Sequence, residues 1–133
     1  MKKLFIAGMA AMLFVNCTGD DSSDVLTVEQ KIIGKWNYIS VIDDNGQELP
    51  LQGCALGQYM KFSKNKSKGL DWTSYGTDQN GDCVIEVYTS DYSIENNVLT
   101  YAAANLKDTL TFINNNTLKL DNEFTNGVIL RRE

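Results

Sequence analysis

Residues 27–43, TVEQKIIGKWNYISVID, change at Gly34 from a helical pattern to the pattern of a β-strand. Thr27 and Gln30 have the spacing of a capping box, in which each side chain binds the backbone N–H of the other residue. Glycine is the residue type that most often ends a helix. We therefore predict a short helix over 28–33, followed directly by the first strand.

The chain after Gly34 has the pattern of an all-β protein. Runs of aromatic and β-branched residues are separated by short turn segments such as Asn45-Gly46 and Asn80-Gly81. Consecutive strands joined by tight turns pair as antiparallel neighbours, so we expect a meander that closes into an eight-stranded barrel; a two-sheet sandwich is the alternative. The predicted strands are 35–43, 57–63, 68–75, 83–89, 90–95, 98–104, 108–113, 117–121 and 127–132, of which 83–89 and 90–95 can form one bent strand.

Several short motifs occur in an order that resembles the lipocalin family. Ile33-Gly34-Lys35-Trp36 resembles the lipocalin and calycin signature, and YSIENNVLT at 92–100 resembles a run found in small bacterial lipocalin-like lipoproteins. Tyr59-Met60-Lys61-Phe62, Thr117-Leu118-Lys119-Leu120 and Ile129-Leu130-Arg131-Arg132 complete the series. The resemblance covers 28–133. It implies an eight-stranded antiparallel up-and-down lipocalin-like barrel with a short N-terminal helix, wide enough for side chains or for one small ligand.

The resemblance also implies how one end of the barrel is closed. In lipocalins an arginine of the last strand packs over the tryptophan of the first strand, which here is Trp36. Arg131 and Arg132 are the candidates, and only one of them can reach Trp36 because adjacent strand residues point to opposite faces. We predict that Arg131 forms this cation–π contact. The alternative is that both terminal arginines are solvated.

The N-terminus resembles the export signal of a bacterial lipoprotein. Lys2 and Lys3 precede an apolar run that is too short to span a membrane, which takes about 20 residues. We expect a signal peptide over 1–16, lipid attachment to Cys17 and a flexible acidic tether over 17–27, which together place the protein at the outer membrane. The acidic run resembles a surface-export tag, with a soluble spacer as the alternative. An ordinary signal peptide, with Cys17 free or lost, is the alternative to lipidation.

The charge of the processed chain disfavours nucleic acid as a partner. Without residues 1–16, ten basic and 17 acidic residues remain, a formal charge of −7. A net charge of this sign also suits a protein that does not adhere to anionic lipid. The neighbouring lysines Lys61, Lys64, Lys66 and Lys68 are interpreted as a solvated edge that blocks strand pairing.

Two cysteines remain besides Cys17. In an oxidising periplasm, an even number of cysteines predicts a disulfide between Cys54 and Cys83. Two unpaired buried cysteines are the alternative. The chain has no C-x-x-C motif, so a thiol oxidoreductase is disfavoured.

Aromatic residues on the predicted inward faces of the strands form the candidate ligand site. We predict that Tyr38, Phe62, Trp72, Tyr92 and Tyr101 line a cup for a small hydrophobic ligand. The alternative is that the same side chains simply fill the barrel.

The composition disfavours catalysis. The chain contains no histidine, which removes Ser-His-Asp and Cys-His arrangements and the commonest zinc ligand. We expect no enzyme activity, no metal site and no cofactor. The sequence predicts a monomeric, membrane-anchored, lipocalin-like protein that binds a small hydrophobic ligand. The alternative is a filled-barrel module that contacts another envelope or surface component through its loops.

Overall fold

The computed structural model describes residues 25–123 and 125–133, which form a barrel of antiparallel strands with one short α-helix. The α-helix, α1, is Val28–Ile32, and a 3-10 helix covers Gly53–Gly57. The strands are β1 (Gly34–Ile42), β2 (Glu48–Pro50), β3 (Tyr59–Phe62), β4 (Leu70–Thr77), β5 (Cys83–Ser90), β6 (Tyr92–Glu95), β7 (Val98–Tyr101), β8 (Leu106–Asn114), β9 (Thr117–Asn122) and β10 (Thr125–Arg132). The predicted all-β class with a short N-terminal helix is confirmed.

The strands form one nearly closed barrel. Their hydrogen-bonded order is β5-β4-β3-β1-β10-β9-β8-β7-β6, and only Asp91 separates β5 from β6 along the chain. The predicted lipocalin-like barrel is confirmed. The structure has ten strands rather than eight because a bend at Asp91 divides one long strand into β5 and β6, and because the short strand β2 pairs with the end of β1.

The barrel has two ends that the chain visits alternately. The α1 end carries α1, the turns β3–β4, β6–β7 and β8–β9, and the C-terminus. The far end carries the connections β1–β3, β4–β5, β7–β8 and β9–β10. These two names are kept below.

The predicted capping box at the start of α1 is present. The Thr27 hydroxyl accepts a hydrogen bond from the Gln30 N–H at 3.3 Å, and the Gln30 side chain accepts one from the Thr27 N–H at 2.9 Å. After α1, Gly34 has a φ of +126°, and a Cβ at this position would lie 3.1 Å from the guanidinium of Arg132. The sharp passage from α1 into β1 therefore requires a residue without a side chain.

An arginine covers Trp36 at the α1 end, but it is Arg132 and not Arg131. The guanidinium carbon of Arg132 lies 4.3 Å from the centroid of the Trp36 ring. The prediction of Arg131 is wrong because Leu130 is fully buried in the core, and side chains alternate along a strand. Arg132 therefore shares the inward face with Leu130, whereas Arg131 is exposed.

The same two side chains satisfy the carbonyl groups at the C-terminus of α1. The Trp36 Nε1–H donates a hydrogen bond to the Ile32 carbonyl at 2.7 Å. Arg132 donates to the Ile33 carbonyl at 2.8 Å and to the Lys31 carbonyl. A helix end leaves such carbonyls without partners inside the helix, so these bonds fix α1 against the barrel.

Apolar side chains fill the barrel interior behind Trp36. Trp36 packs edge-on against Phe112, with ring centroids 5.9 Å apart. The buried core residues are Ile32, Trp36, Met60, Phe62, Leu70, Tyr92, Ile94, Leu99, Tyr101, Leu110, Leu118, Leu120 and Leu130. These side chains pack against one another and form the core of the barrel.

The predicted disulfide joins Cys54 to Cys83, whose Cα atoms are 5.2 Å apart. It connects the 3-10 helix to the first residue of β5. The 3-10 helix also lies close against β5, because a Cβ at Gly57 would be 3.2 Å from the Ile85 side chain. The disulfide therefore ties two connections of the far end into one rim.

The predicted signal peptide (1–16), Cys17 and the tether up to residue 24 lie outside the described residues. Within the part of the chain that is described, no helix is long and apolar enough to cross a membrane.

Candidate functional site

Three of the five candidate ligand-site residues, Phe62, Tyr92 and Tyr101, lie in the packed core. Phe62 and Tyr92 make an edge-to-face contact with ring centroids 5.3 Å apart. The Tyr92 hydroxyl donates a hydrogen bond to the Ser63 carbonyl at 2.5 Å. Both side chains are buried, so they close the barrel interior below the other candidate residues.

Trp72 lies farther from α1 and is only partly buried. Its ring stacks on Tyr88, the residue paired with it across β4 and β5, with ring centroids 4.7 Å apart and planes inclined by 26°. On its other side Trp72 packs against the buried core, whereas Tyr88 is 41% exposed. The pair therefore marks the transition from the packed interior to solvent.

The Trp72 Nε1–H has no hydrogen-bond partner although it is shielded from solvent. It is the one buried side-chain nitrogen or oxygen atom of the described residues in this condition. A buried donor without an acceptor costs about 1–3 kcal/mol. An acceptor atom brought to this position would therefore be bound favourably.

A buried carboxylate, Asp108, lies beside the other candidate residues. The Tyr101 hydroxyl donates a hydrogen bond to it, and the Asn122 side-chain amide donates another at 2.8 Å. Asp108 is only 5% exposed and comes from β8, between the inward-facing residues Leu106 and Leu110. Sequence analysis missed this residue, although its place in the alternating pattern of β8 was a usable signal.

Burial and the nearby Asp108 raise the pKa of two phenol groups. Burial first, and the Asp108 charge second, raise the pKa of Tyr38 well above the ordinary value of 10.0. The same two causes, with the hydrogen bond to Asp108, raise the pKa of Tyr101 still further. Both hydroxyl groups therefore stay neutral to a higher pH than an exposed phenol does.

Phe62, Tyr92 and Tyr101 are thus core residues, and Tyr38 and Trp72 are partly buried against that core. Tyr101 also bonds to Asp108, and Trp72 carries the donor without a partner. That the five residues line a ligand cup stays a prediction.

An open groove lies on the outside of the α1 end, with a volume of about 790 Å³. Tyr92 is the one candidate residue that lines it. The others of the groove include Leu26 and Ile33 from the region of α1, and Lys64 and Lys66 from the β3–β4 turn. A second depression, of about 490 Å³, lies at the far end and includes Asn122, the amide partner of Asp108.

The described residues place no group of three His, Cys, Asp or Glu side chains where they could hold a metal ion. The polar groups around Asp108 and Trp72 are one carboxylate, the phenol groups of Tyr38 and Tyr101, and one indole N–H. Such a set suits hydrogen bonding to an uncharged or acceptor-bearing molecule.

The family model of the lipocalin-like domain matches residues 32–120, well over half of the chain. The chain therefore belongs to the lipocalin-like domain family, whose barrel fold is suited to small ligands and which is generally non-enzymatic. The matched region begins in α1 and ends in β9, so it includes Trp36 and all five candidate residues. No curated protein and no solved structure matches the chain.

Proposed function

We propose that this chain is a lipid-anchored outer-membrane lipoprotein whose barrel binds a small hydrophobic ligand between Trp72 and Tyr101. The family supports a small-ligand barrel. The export signal, with Cys17 at its end, supports the anchor. The unpartnered indole N–H of Trp72 is the observation that carries the ligand proposal, because each other buried polar side-chain atom of the described residues has a partner.

The groups around Trp72 define the ligand chemistry that we propose. An apolar body would contact the ring faces of Trp72 and Tyr88, and one acceptor atom, such as a carbonyl or ether oxygen, would accept from the Trp72 Nε1–H. The Asp108 carboxylate makes an anionic group unfavourable next to Tyr101. A neutral amphiphile therefore suits this site better than a fatty-acid anion.

A ligand titration tests the proposal. The chain that begins at Thr18 is titrated with retinol and with a fluorescent fatty acid while tryptophan emission is followed. We expect saturable binding of the neutral retinoid. In the Trp72→Phe variant, loss of the hydrogen bond should weaken binding by about two- to tenfold.

Tyr59→Phe is the matched control. It removes one hydroxyl group from the outer face of β3, opposite to the buried side of Met60, and should leave the affinity unchanged. An absence of saturable binding, or equal weakening in both variants, would contradict a ligand site at Trp72.

The anchor is tested separately in cells. Radiolabelled palmitate should label the wild-type chain, and Cys17→Ser should abolish the label. An unlabelled wild type, or labelling that persists in the variant, would contradict lipid attachment at Cys17.

A second candidate function is a surface that binds another protein. Three large apolar side chains are exposed on or next to the disulfide-tied rim: Leu56, Tyr75 and Val87, each more than half exposed. Exposed apolar groups of this kind can form the centre of an interface. Failure of the ligand titration would favour this second function.

A further inference from the structure

The two ends of the barrel carry opposite charge. The connections at the far end, residues 43–58, 78–82, 102–105 and 123, contain no Lys or Arg. Their acidic residues are Asp43, Asp44, Glu48, Asp78, Asp82 and Glu123. Lys107, the second residue of β8, follows directly after one of these connections, and the far end remains strongly negative.

The α1 end carries more basic than acidic residues, and its acidic residues include Glu29, Glu95 and Glu133. The β3–β4 turn alone carries Lys64, Lys66 and Lys68, all exposed, and Lys61 is exposed on the strand before it. Among the described residues, only Lys66 of these four forms an ion pair, with Glu29 at 3.2 Å. The backbone N–H of Lys68 donates a hydrogen bond to the Asp91 carboxylate at 2.7 Å. Within the described residues, the other three ammonium groups form no ion pair.

Exposed apolar residues lie next to these lysines. Val25 is 77% exposed and Leu26 is 52% exposed, directly before α1. Leu26 and Ile33 line the open groove of about 790 Å³ together with Lys64 and Lys66. Apolar side chains bordered by cations are the combination that binds the interface of a lipid bilayer.

The chain itself brings this end toward a membrane if Cys17 is lipidated. The described residues begin at Val25, at the α1 end, and Cys17 is eight positions earlier in the chain. Eight extended residues span at most about 28 Å. This step depends on the proposed lipid anchor, but the charge separation does not.

We propose that the α1 end docks onto an anionic, phosphate-bearing lipid surface. Lys61, Lys64 and Lys68 face the lipid phosphates, and Val25 and Leu26 enter the interface beside them. The negative far end is repelled by the same surface, so the rim and the barrel interior point away from the membrane. The net charge of the processed chain, which suits a protein that avoids anionic lipid, conceals this separation.

Vesicle binding of the unlipidated chain tests the proposal independently of the anchor. The chain from Thr18 to Glu133 contains every described strand, α1 and the disulfide. It is mixed with phosphatidylcholine vesicles that contain or lack phosphatidylglycerol, and bound protein is measured by flotation. We expect binding only to the anionic vesicles, and release at high salt because salt screens such contacts.

Lysine variants locate the contact. Each lysine near an anionic surface contributes about a fivefold increase in binding, so Lys64→Gln should weaken binding about fivefold and Lys64→Gln with Lys68→Gln about 30-fold. Lys107→Gln is the matched control: it removes one exposed lysine at the far end that forms no ion pair with any described residue. It should leave binding unchanged.

Three results would overturn the proposal. The first is equal binding to neutral and anionic vesicles, and the second is an equal effect of Lys64→Gln and Lys107→Gln. The third is that a chain starting at Val25 binds while the chain starting at Thr18 does not. In that case the lysines would bind the chain's own acidic segment, which contains Asp20, Asp21 and Asp24, in place of lipid. Palmitate labelling of Cys17 reports on the anchor separately, so the two failures are distinguishable.

Discussion

The α1 end and the interior around Trp72 each contain a tryptophan, and the two indole groups are treated differently. The Nε1–H of Trp36 donates to the Ile32 carbonyl, and Arg132 covers the ring. The Nε1–H of Trp72 has no acceptor, and the ring is covered by the partly exposed Tyr88. The indole N–H of Trp36 therefore has its hydrogen-bond partner, whereas the indole N–H of Trp72 is a donor without an acceptor.

The difference indicates that some residues of this small barrel stabilise the fold while others are available for binding. The contacts of Trp36 and Arg132 complete the helix end and the core, so changes there should lower the free energy of unfolding. The unpartnered N–H of Trp72 lowers the stability of the fold, but it leaves a donor available to a ligand. Residues of the second kind are the better candidates for ligand contact.

The disulfide gives the largest expected effect on the far end. Removing a link that closes a loop of about 30 residues should lower the free energy of unfolding by about 3.5 kcal/mol, in the chain-entropy model. Urea unfolding of the chain from Thr18, with and without a reductant, measures this effect. The variant with both Cys54→Ser and Cys83→Ser should not respond to reductant. An unchanged midpoint in the wild type would mean that the link adds no stability.

The second effect concerns the α1 end. Arg132→Met removes the cation–π contact with Trp36 and leaves the carbonyls of Ile33 and Lys31 without their donor, so we expect a loss of about 2 kcal/mol. Arg131→Met changes an exposed neighbour and should stay within about 0.5 kcal/mol of the wild type. Equal losses in the two variants, by urea unfolding, would remove Arg132 from the account.

The smallest effect is a pH dependence due to Tyr101. Its pKa is raised in the folded chain, so above pH 10.0 the unfolded chain releases a proton that the folded chain retains. Stability is therefore complete below this pH and falls above it, by up to about 1.4 kcal/mol per pH unit for one such group. Urea midpoints between neutral pH and alkaline pH should show a smaller decline in Tyr101→Phe than in the wild type.

Tyr75→Phe is the control for this pH series, because Tyr75 is exposed at the outer rim. It should decline with pH as the wild type does. A decline in Tyr101→Phe as steep as that of the wild type would show that the buried phenol is not the cause.

The barrel and its disulfide were predictable because their signals are local. Asn-Gly pairs mark the turns, and an even number of cysteines in an exported chain indicates a bond. The choice between Arg131 and Arg132 was not predictable from the sequence, because Ile129 and Leu130 are both apolar and both buried. Composition could not say which of the two points inward.

The register of β1 shows a second limit. Strict alternation would place Ser40 on the face of Tyr38. The structure pairs Tyr38 with Leu130 but Ser40 with Ile129, because the register shifts between them. Ser40 therefore lies on the opposite face from Tyr38, where it is buried and its hydroxyl donates a hydrogen bond to Glu48. Such a bulge depends on pairing with a distant strand and has no signature in the local sequence.

The candidate site was predicted only in part for the same reason. The aromatic residues were visible in the alternating pattern. Which of them are buried in the core, like Phe62, and which lie near solvent, like Trp72, depends on which strands meet. Asp108 lies in β8, and its partners come from β7 and β9. Contacts between three strands depend on how the barrel closes, so the sequence pattern of a single strand does not predict them.

The indole N–H resonances test the central claim most directly. In the ¹⁵N-labelled chain from Thr18, Trp36 and Trp72 give the two indole signals, which the Trp72→Phe variant assigns. Titration with retinol should shift the Trp72 signal, because its N–H gains an acceptor, and should leave the Trp36 signal unchanged. Retinol that shifts neither signal, or only that of Trp36, would contradict a ligand site at Trp72.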